Sequence, residues 1–128
     1  MTTRSRIIID EWRAAMSETE LQDVYVRPAA EAQGWLCYHT HDSRRSPSGF
    51  PDLVLVRPPR LIFAELKSQR GRVRPDQQAW IVALEAVAGI RFDVSPDKLG
   101  FEAGPMLPEV YVWRPAAWLD GTIMRLLA

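Results

Sequence analysis

Two apolar runs, "DLVLV" at 52–56 and "LIFAELK" at 61–67, stand on either side of "RPPR". Branched and aromatic side chains suit a pleated, half-buried surface, and proline cannot donate to a ladder. The runs therefore read as two strands with the prolines in the turn between them. An antiparallel hairpin closing symmetrically about Pro58 and Pro59 sets Val56 opposite Leu61, Val54 opposite Phe63 and Asp52 opposite Glu65. Directly opposed residues share a sheet face, with Cβ atoms about 4.5–5.5 Å apart. Alternation then projects Phe63, Glu65 and Lys67 from one face and sends Ile62, Ala64 and Leu66 to the other. Nothing else in the chain constrains the fold as strongly: the sheet must be apolar on one side and hold two like charges together on the other.

Like charges set directly opposite each other destabilise a sheet, and desolvation sharpens the repulsion. Lys67 can neutralise one of them. A hard divalent cation satisfies both carboxylates while keeping water in its shell, the usual manner of Mg²⁺. Bound metal helps form an attacking hydroxide and stabilises charge on a phosphate oxygen. Asp52 and Glu65 thus read as a metal cradle, with Lys67 placed to orient or deprotonate the attacking water. The plainer reading makes Asp52 a turn cap after "GFP" and makes Glu65 and Lys67 a surface pair on an edge strand. Charge distribution favours the cradle. The net charge is zero, which supports no whole-molecule attraction to nucleic acid or membrane. Yet the segment from Arg44 to Arg74 holds eight of the 16 basic residues, with Asp52 and Glu65 as its only acids.

The remaining segments supply an α/β sandwich. A length of 128 residues suits one domain, read as 1–128 with a helical extension over 1–16 and a core over 17–118. "RSRIIIDEWRAAM" places Ile8, Trp12 and Ala15 or Met16 at helical spacing, for packing or self-association. Ser17 opens "SETE", a capping pattern for a helix running towards Gly34, which Pro28 is expected to kink or split. "WLCYHT" reads as a strand and "HDSRRSPSG" as a polar loop. Pro75 and Asp76 open a helix with an apolar stripe of Trp80, Ile81, Leu84 and Val87 or Ala88, stopped at Gly89. "IRFDV" and "VYVWR" are further strands around an excursion over 95–109, and Gly121 interrupts a final helix. No apolar run approaches the roughly 18–20 residues that span a bilayer. The lone Cys37 cannot form an internal disulfide and agrees with a reducing compartment, so a cytoplasmic setting is expected.

"GFPDLVLV", "FAELK" and "GRVRPDQQAW" together resemble the PD-(D/E)XK nuclease superfamily and, within it, the virus-type replication-repair nuclease domain, VRR-NUC. The resemblance runs from Glu20 to Pro115 and is strongest from Gly49 to Trp80. It implies a restriction-endonuclease-like core, a mixed central sheet flanked by helices in the order α-β-β-β-α-β. It also implies a metal-dependent endonuclease hydrolysing phosphodiester bonds in DNA, with Asp52, Glu65 and Lys67 as catalytic core. Mg²⁺ is the implied cofactor, Mn²⁺ its substitute, and no organic cofactor is expected. Glu20 matches an acidic residue on the first helix that faces the metal, although it also completes a capping box with Ser17. Gln77 matches the Gln of a Pro-acidic-Gln stretch, where it contacts a phosphate or supports the lysine; its other reading is an exposed helical Gln. The implied metal set is Asp52, Glu65, Glu20 and Leu66. Stand-alone domains resembling this one often act as dimers on branched DNA, so a homodimer and branched duplex such as a Holliday junction are the expected partners. Three features depart from the pattern: Arg74 stands where a Ser or Thr cap is natural, Pro28 falls inside the first helix, and 95–109 looks inserted.

Arg44 and Arg45 before the hairpin, with Arg70, Arg72 and Arg74 after it, would flank the metal and contact phosphates, which position a duplex without reading its sequence. His39, His41 and Asp42 have metal-like spacing, but two histidines two apart are weak evidence for a site, and the stretch reads as a strand end and polar loop. Trp80 and Trp113 sit at helix and strand positions that suit the core better than base stacking. The competing function is a catalytically silent DNA-binding module or an accessory subunit of a replication or packaging assembly, and RNA cleavage would use the same chemistry. The acid-acid-lysine set favours hydrolysis of DNA, because a pure binder gains nothing from carboxylates facing phosphate.

Overall fold

In the computed structural model, which describes residues 2–40, 44–88 and 108–128, Pro58 and Pro59 join strands β2 (Leu53–Arg57) and β3 (Arg60–Leu66). Val56 pairs with Leu61, Val54 with Phe63 and Leu53 with Ala64, so one further step of the same register sets Asp52 opposite Glu65. Strand β1 (Leu36–His39) adds antiparallel to β2, and β4 (Pro108–Trp113) adds parallel to β3, giving a mixed sheet in the order β1-β2-β3-β4. Pro108 and Glu109, expected in the excursion, instead pair with Leu61 and Ile62. His41, Asp42, Gly89, the "IRFDV" strand and positions 95–107 lie outside the described residues.

One face of this sheet is dry. Leu53, Leu55, Ile62, Ala64, Leu66 and Trp113 pack there against Leu21, Val26 and Ala30 of helix α2 and against Ile123 and Leu127, none more than 2% exposed. Each large aliphatic side chain contributes about 1.5–3 kcal/mol by leaving water, so this layer dominates the stability of the fold. Helix α2 is continuous through three segments, Glu18–Glu20, a π-helical Leu21–Val26 and Arg27–Ala32. It begins where expected, with Ser17 Oγ accepting the Glu20 N–H at 3.0 Å. Pro28 does not split it. The irregularity lies ahead of the proline, where the Arg27 N–H reaches back five residues to the Gln22 carbonyl. That wider turn relieves the collision between a proline ring and the preceding turn.

On the opposite face lies helix α3 (Pro75–Ala88), which buries Ile81 and sets Trp80 edge-on to Phe50, itself edge-on to Phe63. Of the expected stripe, Leu84 is half-buried and Val87 exposed. Trp113 is core and Trp80 half-buried, its indole N–H donating to the Ser48 carbonyl at 3.1 Å. Helices α4 (Pro115–Leu119) and α5 (Thr122–Leu127) meet at Gly121, whose φ of +83° breaks the terminal helix where the sequence indicated. The chain is thus an α/β protein with a four-stranded mixed sheet flanked by helices, a restriction-endonuclease-like core.

Two of the eight basic residues counted around the acids belong elsewhere. Arg57 and Arg60 flank the turn, at the far end of the strands, where both guanidinium groups lie over the Trp35 ring. Arg57 donates to the carbonyls of Gln33, Leu127 and Ala128 and Arg60 to that of Leu126, so they hold the last helix in place. Helix α1 (Thr3–Ala15) buries no residue, and Ile7, Ile8 and Trp12 are each more than half exposed. No helix among the described residues is long and apolar enough to cross a membrane.

Candidate active site

The first acid arrives on a tightly constrained loop. Gly49 has φ +92°, and a Cβ there would overlap the Asp76 carbonyl and lie 2.8 Å from the Gln77 nitrogen. Only glycine lets "GFP" lie flush against the first turn of α3. Pro51 is fully buried, and Asp52 follows half-buried, its Oδ2 accepting the Leu66 N–H at 2.7 Å. The start of β2 is thereby tied to the end of β3.

Glu65 is 1% exposed. Its Oε1 accepts a 2.7 Å hydrogen bond from Gln77 Nε2, while Gln77 Oε1 accepts the Arg74 N–H at 2.9 Å. The third residue of a helix reaching back to the cap residue's N–H is half of a capping box, which is how α3 starts cleanly without Ser or Thr at its cap. The same bond fixes the amide's orientation, so its NH₂ can only point at Glu65. Gln77 is buried, against the exposed alternative, and Gln78 beside it is exposed. Lys67 Nζ lies 3.7 Å from Glu65 Oε1 and 4.0 Å from Glu18 Oε1, on a side chain almost wholly out of water.

Glu65 Oε2 is buried with no hydrogen-bond partner. Leaving a carboxylate oxygen unsatisfied costs free energy on the order of 1–3 kcal/mol. Burial, and then the nearby Asp52 carboxylate, push the Glu65 carboxyl up to about 8, against the opposing pull of Lys67.

A cavity of about 260 Å³ opens beside Asp52, lined from α2 by Glu18, Thr19, Gln22 and Asp23 and from the sheet by His39 and Leu66. Glu20 is not brought to it. Two helical residues apart are roughly 200° apart about the axis, so when Glu18 turns inward Glu20 turns out to solvent. Leu66 has its side chain in the core, leaving only its main chain near the acids. Among the described residues no three His, Cys, Asp or Glu side chains converge as a complete metal cage. Two carboxylates with water completing the shell nevertheless suit Mg²⁺. Arg44, Arg45, Arg70, Arg72 and Arg74 are all exposed, and Arg74 is engaged by Asp76 at 3.2 Å. Glu18 is the residue that sequence reasoning missed. "SETE" offers two glutamates, and only the phase of the helix selects between them.

Two acids and a lysine thus come together at the ends of adjacent strands of an α/β sandwich. A family model for the VRR-NUC domain matches residues 7–95, well over half of the chain, and the chain belongs to that nuclease family. Neither curated proteins nor solved structures gave a match.

Proposed function

We propose that this chain is a divalent-metal-dependent DNA endonuclease that hydrolyses phosphodiester bonds, with Mg²⁺ as cofactor and Mn²⁺ able to replace it. One observation carries the reading: a buried Glu65 with an unpartnered oxygen, beside Asp52 and Lys67. Asp52 and Glu65 would hold the ion, with the Leu66 main chain and Glu18, in place of Glu20, at its edge. When bound, the ion would polarise the scissile phosphate and lower the pKa of a coordinated water. The protein's own residues then have separable tasks. Gln77 locks the Glu65 rotamer, the Leu66 N–H locks that of Asp52, and Lys67, held between Glu65 and Glu18, orients the attacking water and holds or takes its proton. Exposed Arg44, Arg45, Arg70 and Arg72, with Arg74 in part, contact the flanking phosphates.

Branched duplex, such as a four-way junction, is the proposed substrate, and a homodimer the proposed working form, since two strands then meet two sites. The exposed Ile7, Ile8 and Trp12 of α1 support self-association. The test is a panel of labelled linear, flapped and four-way DNA incubated with Mg²⁺ or Mn²⁺ beside Asp52→Ala and Lys67→Ala proteins. Cleavage of branched forms that Lys67→Ala lowers about 10²–10⁴-fold is expected. Cleavage that survives both substitutions, or excess chelator, would overturn the reading. A monomer in sedimentation at working concentration would remove the dimer alone.

A further inference from the structure

The turn that follows the candidate catalytic lysine is held by a residue with no role so far. Gly71 N–H closes the turn on the Ser68 carbonyl at 3.2 Å, and a Cβ at Gly71 would lie 2.8 Å from Ser68 Oγ, so the bend is drawn tight. Its carbonyls are gathered from outside. Arg114, at the end of β4, donates through Nη1 to the Ser68 carbonyl at 2.9 Å, to that of Gly71 at 2.6 Å and, more weakly, to that of Gln69 at 3.5 Å. From the other side the Gln69 side chain accepts the Ala116 N–H at 2.9 Å, which satisfies a free donor in the first turn of α4. Just upstream, the Lys67 N–H is bonded to the Trp113 carbonyl at 3.0 Å. The stretch 67–71 is therefore laced to the β4–α4 junction at three points: the Lys67 N–H, the Arg114 guanidinium and the Gln69 side chain. Arg70 and Arg72 remain exposed, and neither makes a hydrogen bond or ion pair among the described residues.

We infer that Arg114 is a positioning residue for nucleic-acid binding: its guanidinium is committed to the turn's carbonyls, and through them it presents Arg70 and Arg72 as a preformed phosphate clamp at a fixed distance from Lys67. The inference rests on the proposed function only in taking a polynucleotide as ligand. Its physical basis is entropic. Each rotamer-rich side chain or loop that must be ordered on binding lowers affinity, and a turn fixed beforehand has already met that cost. Arg114 is only half-buried, but its Nη1 is turned onto main-chain oxygens. The three contacts converge on Nη1 alone, a point that the shorter, more flexible lysine stem would hold less firmly than the rigid guanidinium does.

Binding of a labelled four-way junction is measured by anisotropy in chelator, so that cleavage plays no part, for the starting protein, Arg114→Ala, Arg114→Lys, the Arg70→Ala/Arg72→Ala double variant and the triple variant. Arg114→Ala is expected to weaken binding about tenfold. The double variant should lower the salt slope by about 1.8, the loss of two phosphate contacts. In the double-variant background, replacing Arg114 should add almost nothing, because its effect passes through those two side chains. Trypsin cleavage after Arg70 and Arg72 in the free protein should accelerate in Arg114→Ala, with Arg114→Lys restoring little. A tenfold loss that persists in the triple variant would mean Arg114 touches phosphate itself, and would overturn the inference. So would unchanged binding and unchanged trypsin sensitivity in Arg114→Ala. Absence of cleavage with metal in the separate activity panel would strike the nuclease reading and leave this cycle standing.

Discussion

Glu109 and Glu65 lie on adjacent parallel strands, near opposite ends of the sheet, and the fold treats them in opposite ways. Glu109 receives both ends of the Arg60 guanidinium, at 2.7 and 2.8 Å, and the Tyr111 hydroxyl at 2.7 Å. Those donors hold its carboxyl below the ordinary range. Glu65 receives one neutral amide, keeps one oxygen unpartnered and is pushed up towards neutrality by burial and by Asp52. Arginine was available to complete either site, and only the turn end uses it. The protein neutralises one carboxylate with an arginine and a tyrosine and leaves the other incomplete, with a lysine held just outside hydrogen-bonding reach; on the function proposed above, an external cation would complete it. On that proposal, stability and chemistry are divided between the two ends of one pair of adjacent strands.

Exchanging each acid for its amide is the sharpest way to break that contrast. Glu65→Gln is expected to lower metal-dependent cleavage by several orders of magnitude, since several kcal/mol of transition-state stabilisation are at stake and about 1.4 kcal/mol is tenfold. Glu109→Gln should leave the cleavage rate per folded molecule within about twofold and lower the unfolding free energy by about 1–3 kcal/mol, the usual worth of a hydrogen bond to a charged group. Denaturant titration beside a cleavage assay separates the two. Comparable loss of activity in both variants would abolish the division.

Acidity sharpens it further. Between the ordinary glutamate value of 4.5 and about 8, Glu65 binds more proton in the folded chain than in the unfolded one. Stability contributed by that group is therefore lost as pH rises through this interval. Glu65→Gln removes the dependence, so in chelator the variant should melt above the parent at pH 8 by about 5 °C or more and converge with it near pH 5. Equal pH profiles of melting temperature for the two proteins would show that Glu65 is not held in the raised state.

Much of this was legible in the chain. The hairpin register followed from two prolines and a two-residue period, and it alone set Asp52 opposite Glu65. Dry and charged faces followed from the same alternation, and the Ser17 cap from four letters. Other features depend on groups far apart in sequence. Arg57 and Arg60 read as part of a basic cluster because nothing local announces that their partners are carbonyls around residues 126–128, some seventy residues on. Gln77 was legible as a candidate, but its amide's two bonds needed the cap geometry of α3. The π turn ahead of Pro28 rotates everything after it relative to a regular helix, a shift no periodicity reports.

The two glutamates of "SETE" give the finest resolution. Glu18 reaches to 4.0 Å of Lys67 Nζ and lines the cavity; Glu20 has its backbone N–H capped by Ser17 and its side chain in solvent. Both are exposed enough that replacement by Gln changes stability by no more than about 0.5 kcal/mol, so activity can be compared without correction for folding. Glu18→Gln should lower metal affinity or cleavage about tenfold, the scale of a group that tunes a site from its edge. Glu20→Gln should change either by less than about twofold. The Mg²⁺ concentration giving half-maximal cleavage is the discriminating measurement: a rightward shift for Glu18→Gln places that carboxylate at the ion's periphery, whereas a lower plateau at unchanged midpoint assigns it to Lys67 alone. A shift confined to Glu20→Gln would mean that the start of α2 turns by half a revolution when metal binds.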